Sequence, residues 1–85
     1  MPRFFFHVFN GNGETKDDEG LEVANQSGAR QVAIDSIRSI VSEEARQGTI
    51  DLDGRIAIED GTRNVLLEVA FIEAFDLNLP EDFSR

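Results

Sequence analysis

Apolar and polar positions change their spacing along the chain, and each change predicts an element. Phe4, Phe5, Phe6, Val8 and Phe9, interrupted only by His7, form an almost continuous apolar run. Such a run predicts a strand over residues 3 to 9 that is buried on both faces and therefore central. Asn10-Gly11-Asn12-Gly13 follows. Paired Asn-Gly steps predict a type I′ hairpin, because both central residues of that turn need positive φ. The returning strand, Glu14 to about Asp17, is short and polar, as edge strands often are. Asp17-Asp18-Glu19-Gly20 reads as a turn, with Leu21 and Val23 pointing the same way after it.

The period then becomes helical. Asn25 or Ser27 supplies an N-cap, and the helix runs to about Gln47, with Gly48 as its stop. Ala29, Ala33, Ile34, Ile37, Ile40, Val41 and Ala45 form one stripe, and Asp35, Arg38, Ser42, Glu43 and Arg46 lie opposite. Val32 falls off the stripe and is expected to be partly exposed.

From Ile50 to Asp60 the period is two: Ile50, Leu52, Ile56 and Ile58 alternate with Asp51, Asp53, Arg55 and Glu59. Asn64 to Phe71 returns, with Val65, Leu67, Val69 and Phe71 on one face. If both apolar sets face the helix, Ile58 pairs with Val65 and Ile56 with Leu67. That register leaves Gly61-Thr62 as a type II′ turn and sets Arg55 opposite Glu68. Ile72 to Phe75 predicts one helical turn, and residues 76–85 read as a loose tail around Pro80.

The predicted architecture is a single α+β domain over residues 1–75, ordered β-β-α-β-β. One amphipathic helix packs on one face of a four-stranded antiparallel sheet. Its other face would carry Phe5, His7 and Phe9, beside Ala57, Leu66 and Ala70. Small soluble domains rarely leave such a patch bare. The tail, a second copy or a different protein would cover it. Phe5, His7, Phe9 and Leu66 are the candidate interaction surface.

Composition narrows the options. The chain has 85 residues, no Cys, 8 Lys plus Arg and 17 Asp plus Glu, for a net charge of -9. Disulfides, thiolate metal sites and a Cys nucleophile are thereby excluded. The acidity opposes nucleic acid and anionic membrane as partners, and leaves a protein partner or self-association as a homodimer. No signal-peptide core or long apolar span is present, so a cytoplasmic location is expected.

Candidate chemistry is sparse. Asp51-Leu52-Asp53-Gly54 resembles the middle of an EF-hand loop, but Thr49 and Asp60 occupy its first and last ligand positions. Asp17 and Asp18 would hold a hard cation with Asp51 or Asp53 only if the four converge. His7 is the sole imidazole and lacks partners for a His or Cys metal site. The Asn10 to Gly13 loop opens no helix and so is no phosphate cradle. Ser36, Ser39 and Ser42 have no base nearby in sequence. No catalytic residue, resident metal or cofactor is expected; beside an interaction module or homodimer, the alternative is a weak metal or small-ligand binder using Asp17, Asp18, Asp51 and Asp53.

The opening Met1-Pro2-Arg3-Phe4-Phe5-Phe6-His7 resembles a family of short bacterial proteins classed as a domain of unknown function. The acidic stretch ending at Gly20-Leu21, the helix start Ala29-Arg30-Gln31-Val32-Ala33, the strand Leu52-Asp53-Gly54-Arg55-Ile56 and the strand ending at Phe71 are similar to it too. The resemblance covers about residues 1 to 75. It implies one compact domain and supplies no activity or catalytic residues. A weaker likeness is to the HicB-type antitoxin fold, in which a small antiparallel sheet and one helix bind a toxin.

Overall fold

The computed structural model describes residues 1–11 and 13–81. Its elements are β1 (Arg3–Asn10), β2 (Gly13–Thr15), β3 (Leu21–Glu22), α1 (Gln26–Arg46), β4 (Arg55–Glu59) and β5 (Val65–Ala70), then a 3-10 turn at Phe71–Ala74. The sheet runs β2-β1-β4-β5, and the short β3 joins β1 on the edge that also carries β2. Every pairing is antiparallel. The α+β fold is thus as expected, with five strands in place of four. The apolar first strand is central: β1 pairs with β4 from Phe5↔Glu59 to Phe9↔Arg55.

Helix α1 starts where its cap allows. Asn25 is extended, and its side chain accepts the Gly28 N–H at 2.8 Å. At the far end Gly48 takes φ 96°, which only glycine adopts without strain. Ala29, Ala33, Ile34, Ile37 and Val41 are buried against Phe4, Ile56, Ile58, Val69 and Phe71. Val32 is half-buried, as expected, whereas Ala45 is exposed although its phase belongs to the apolar stripe.

The hairpin β4–β5 differs from the derived register. Ile58 pairs with Leu67 and Ile56 with Val69, and the register shifts before Glu59↔Val65. Leu66 is the extra residue of that bulge, and Val65 is exposed. The cause lies in the turn. Asp60 accepts hydrogen bonds from Thr62 N, Thr62 Oγ1 and Asn64 N. Its backbone N–H reaches Asn64 O and its carbonyl accepts from Arg63 N, so Gly61, Thr62 and Arg63 form the loop. Arg63 absorbs the reversal at φ 69°. Arg55 and Glu68 still meet, diagonally, at 3.5 Å.

Two other expectations are corrected. Strand β4 begins at Arg55 rather than Ile50: the Asp53 N–H is taken by the Asp51 side chain instead of by a neighbouring strand, and Ile50 is exposed. Strand β2 ends at Thr15 rather than near Asp17. The type I′ turn expected within Asn10-Gly11-Asn12-Gly13 involves Asn12, which lies outside the described residues. The tail is described only to Glu81, and Leu77 and Leu79 in it are exposed.

The 3-10 turn ties the sheet to the helix. Phe71 N donates to Gly54 O at 2.9 Å, Arg38 Nε to Ala74 O at 2.9 Å, and Arg30 pairs with Glu73 at 3.2 Å. Backbone direction alternates along a strand. Since Phe71 N points toward β4, Ala70 N points to the open edge, where Glu73 Oε2 accepts it at 3.0 Å.

Candidate functional site

Phe4, Phe6 and Val8 face the helix side and join the core. Alternation then sends Phe5, His7 and Phe9 to the opposite face. There these three residues line a cleft of about 380 Å³. Its acidic walls come from Glu14, Asp17, Asp18 and Glu59, and its cations are Lys16 and Arg63. The other expected surface residue, Leu66, does not line the cleft. The bulge turns it toward the core, against which it packs. None of the described tail residues lines the cleft either.

One edge of β1 carries two ladders with a gap between them. Strand β3 pairs at Arg3 and Phe4, and β2 at Val8, Phe9 and Asn10. Phe6 N–H falls in the gap, and Asp17 Oδ2 accepts it at 3.1 Å. Asp17 Oδ1 accepts Gly20 N–H at 3.0 Å and Glu19 N–H at 3.2 Å. The carboxylate therefore stands in for a missing strand rung. Burial pushes its pKa up, but the N–H groups of Gly20, Phe6 and Glu19 together outweigh that and hold it below the usual aspartate value.

His7 is fixed by the same loop. Its Nδ1 accepts the Asp17 N–H at 3.1 Å, which assigns the ring proton to Nε2. Nε2 lies 3.2 Å from Glu59 Oε1, with both side chains largely shielded. Gly20 lets the loop return: it has φ 72°, and a Cβ there would sit 2.9 Å from Phe4 O and from the Phe5 ring. At the far side of the cleft Arg55 stacks on Phe9, 4.3 Å from the ring centroid, while holding Glu68.

The four carboxylates considered as a cation site are not brought together. Asp17 and Asp18 line the cleft, whereas Asp51 lies beside Gly11 and turns onto Asp53. No group of three or more His, Asp or Glu residues able to hold a metal occurs among the described residues. No helix among them is long and apolar enough to cross a membrane. Glu14, Lys16, Glu59 and Arg63 were missed as cleft residues. Asp17's role had a signal in the sequence, since Asp at the first and Gly at the fourth position mark a turn.

These features define a small α+β domain whose single helix covers one sheet face and whose other face carries a polar-walled aromatic cleft. The chain belongs to the family described as Domain of unknown function (DUF6894), matched over residues 3–72. That span includes every strand, the helix and all the cleft residues. No curated protein and no solved structure matches the chain.

Proposed function

We propose that the chain is a non-enzymatic protein-interaction module that works through the outer sheet face. The observation that carries this reading is the cleft itself, where Phe5, His7 and Phe9 line the side of the sheet that the helix leaves open. Aromatic side chains in a concave site with a charged rim suit recognition of another protein surface. The groups best suited to acid–base work are already committed. His7 Nδ1 is occupied by Asp17 N–H, and the Asp17 carboxylate by three backbone N–H groups. The net charge of -9 supports a protein partner over nucleic acid.

Affinity capture from the native host with wild type and Phe5→Asp tests this reading, with matching amide NMR spectra as the control for folding. A protein retained by the wild type and lost with Phe5→Asp is expected. The same set of captured proteins with both forms would overturn it. A concentration-dependent dimer mass that Phe5→Asp abolishes would make the partner a second copy.

A further inference from the structure

We infer that the occupant of the cleft is an arginine side chain carried by a basic segment of another protein; this rests on the interaction reading above. The argument begins with charge. Five arginines of the chain form ion pairs with carboxylates: Arg3 with Glu22, Arg30 with Glu73, Arg38 with Asp35, Arg46 with Glu43 and Arg55 with Glu68. None of those carboxylates lines the cleft. Among the described residues the cleft's own Glu14, Asp17, Asp18 and Glu59 have no Lys or Arg within ion-pair distance. Lys16 and Arg63 also line it, and against four carboxylates they leave an excess of two negative charges. His7 also contacts Glu59, through Nε2 at 3.2 Å from Oε1, while its Nδ1 accepts the Asp17 N–H. An incoming cation is therefore attracted, and the field of the whole chain, at -9, steers it in the same direction.

Shape and chemistry then favour arginine. A guanidinium stacks on an aromatic face while its N–H groups reach a carboxylate, which the compact ammonium of lysine does less well. The same sheet face already holds one such arrangement, Arg55 over Phe9 with Glu68 beside it. In the cleft, Phe5 offers the ring and Glu59, paired across the strands with Phe5, offers the carboxylate.

The test is an NMR titration with N-acetyl-Gly-Arg-Gly-amide and with its citrulline counterpart, which has nearly the same shape and no charge. Saturable shifts are expected at the amides of Phe5, His7, Phe9 and Glu59 with the arginine peptide, at least about fivefold weaker with citrulline. Glu59→Gln should weaken arginine binding by about fivefold or more, and Asp18→Asn provides a second variant if Glu59→Gln disturbs His7. Equal shifts with citrulline, shifts spread evenly over the helix carboxylates Asp35 and Glu43, or binding of N-acetyl-Gly-Glu-Gly-amide at the cleft instead would overturn the inference. If the arginine peptide fails while Phe5→Asp still loses a captured partner, the occupant is wrong and the interaction surface stands.

Discussion

Replacing Asp17 probes the joint on which the outer sheet face depends. Its carboxylate accepts three backbone N–H groups, from Phe6, Glu19 and Gly20, at 3.0 to 3.2 Å. A hydrogen bond to a charged group contributes about 1.5–3 kcal/mol, and these three share one group, so their effects will not add in full. Asp17→Ala should therefore cost about 3–4 kcal/mol, partly because Phe6 N–H is left unpaired between two ladders. Asp17→Asn is the sharper variant. Its single carbonyl oxygen can serve the Gly20 side or Phe6, but not both, and its NH2 group meets a donor at the other. A loss of about 2 kcal/mol is expected, which for a domain of this size lowers Tm by roughly 8–16 °C. Urea denaturation followed by circular dichroism reads the total, and amide exchange at Phe6 reads the joint itself. The pKa of Asp17 is depressed on folding, so its contribution is present above the unfolded value of 3.8 and is lost as pH falls through the lower folded value. Asp17→Asn should flatten the acid side of the stability profile. A cost below about 0.5 kcal/mol with Phe6 exchange unchanged would refute the bridging role, since that is the scatter of ordinary surface substitutions.

Three further substitutions test neighbouring claims. Gly20→Ala should destabilise by at least about 2 kcal/mol, from left-handed strain plus the clash with Phe4 O, as read by thermal melting. Arg63→Gly should stabilise by up to about 1 kcal/mol, because glycine relieves the positive φ of the β4–β5 turn; a loss in urea denaturation would contradict that geometry. Asn25→Ala should cost about 1 kcal/mol through loss of the Gly28 N–H bond, with amide exchange quickening in the first helical turn.

The helix was legible because its determinants are local: the Asn25 cap, the 3.6-residue apolar stripe and Gly48 act within a few residues of the backbone they shape. The central place of β1 was legible from burial on both faces, and with it the outward direction of Phe5, His7 and Phe9. The β4–β5 register was not. It depends on whether Asp60 captures Thr62 and Asn64, and alternation cannot distinguish registers that keep the same faces together. Leu66 was misplaced for the same reason, since the one-residue bulge reverses its direction. Asp17 read as a solvated turn because its acceptor role toward Phe6 spans eleven residues. Strand β3, of two residues, is too short to impose a period. The cleft walls come from β1, β2, its following loop, the end of β4 and the β4–β5 turn, an assembly that only tertiary structure brings together.

The Glu73 cap on Ala70 bears on behaviour in concentrated solution. An open sheet margin is a template on which identical chains can stack end to end. Here the Leu66 bulge disrupts one part of that margin, and a negative charge occupies Ala70 N–H. A neighbouring copy would have to displace the carboxylate and accept the repulsion between two molecules of charge -9. The open margin of β5 is therefore guarded by a bulge and by charge against the fibre-forming association that unpaired strand edges invite.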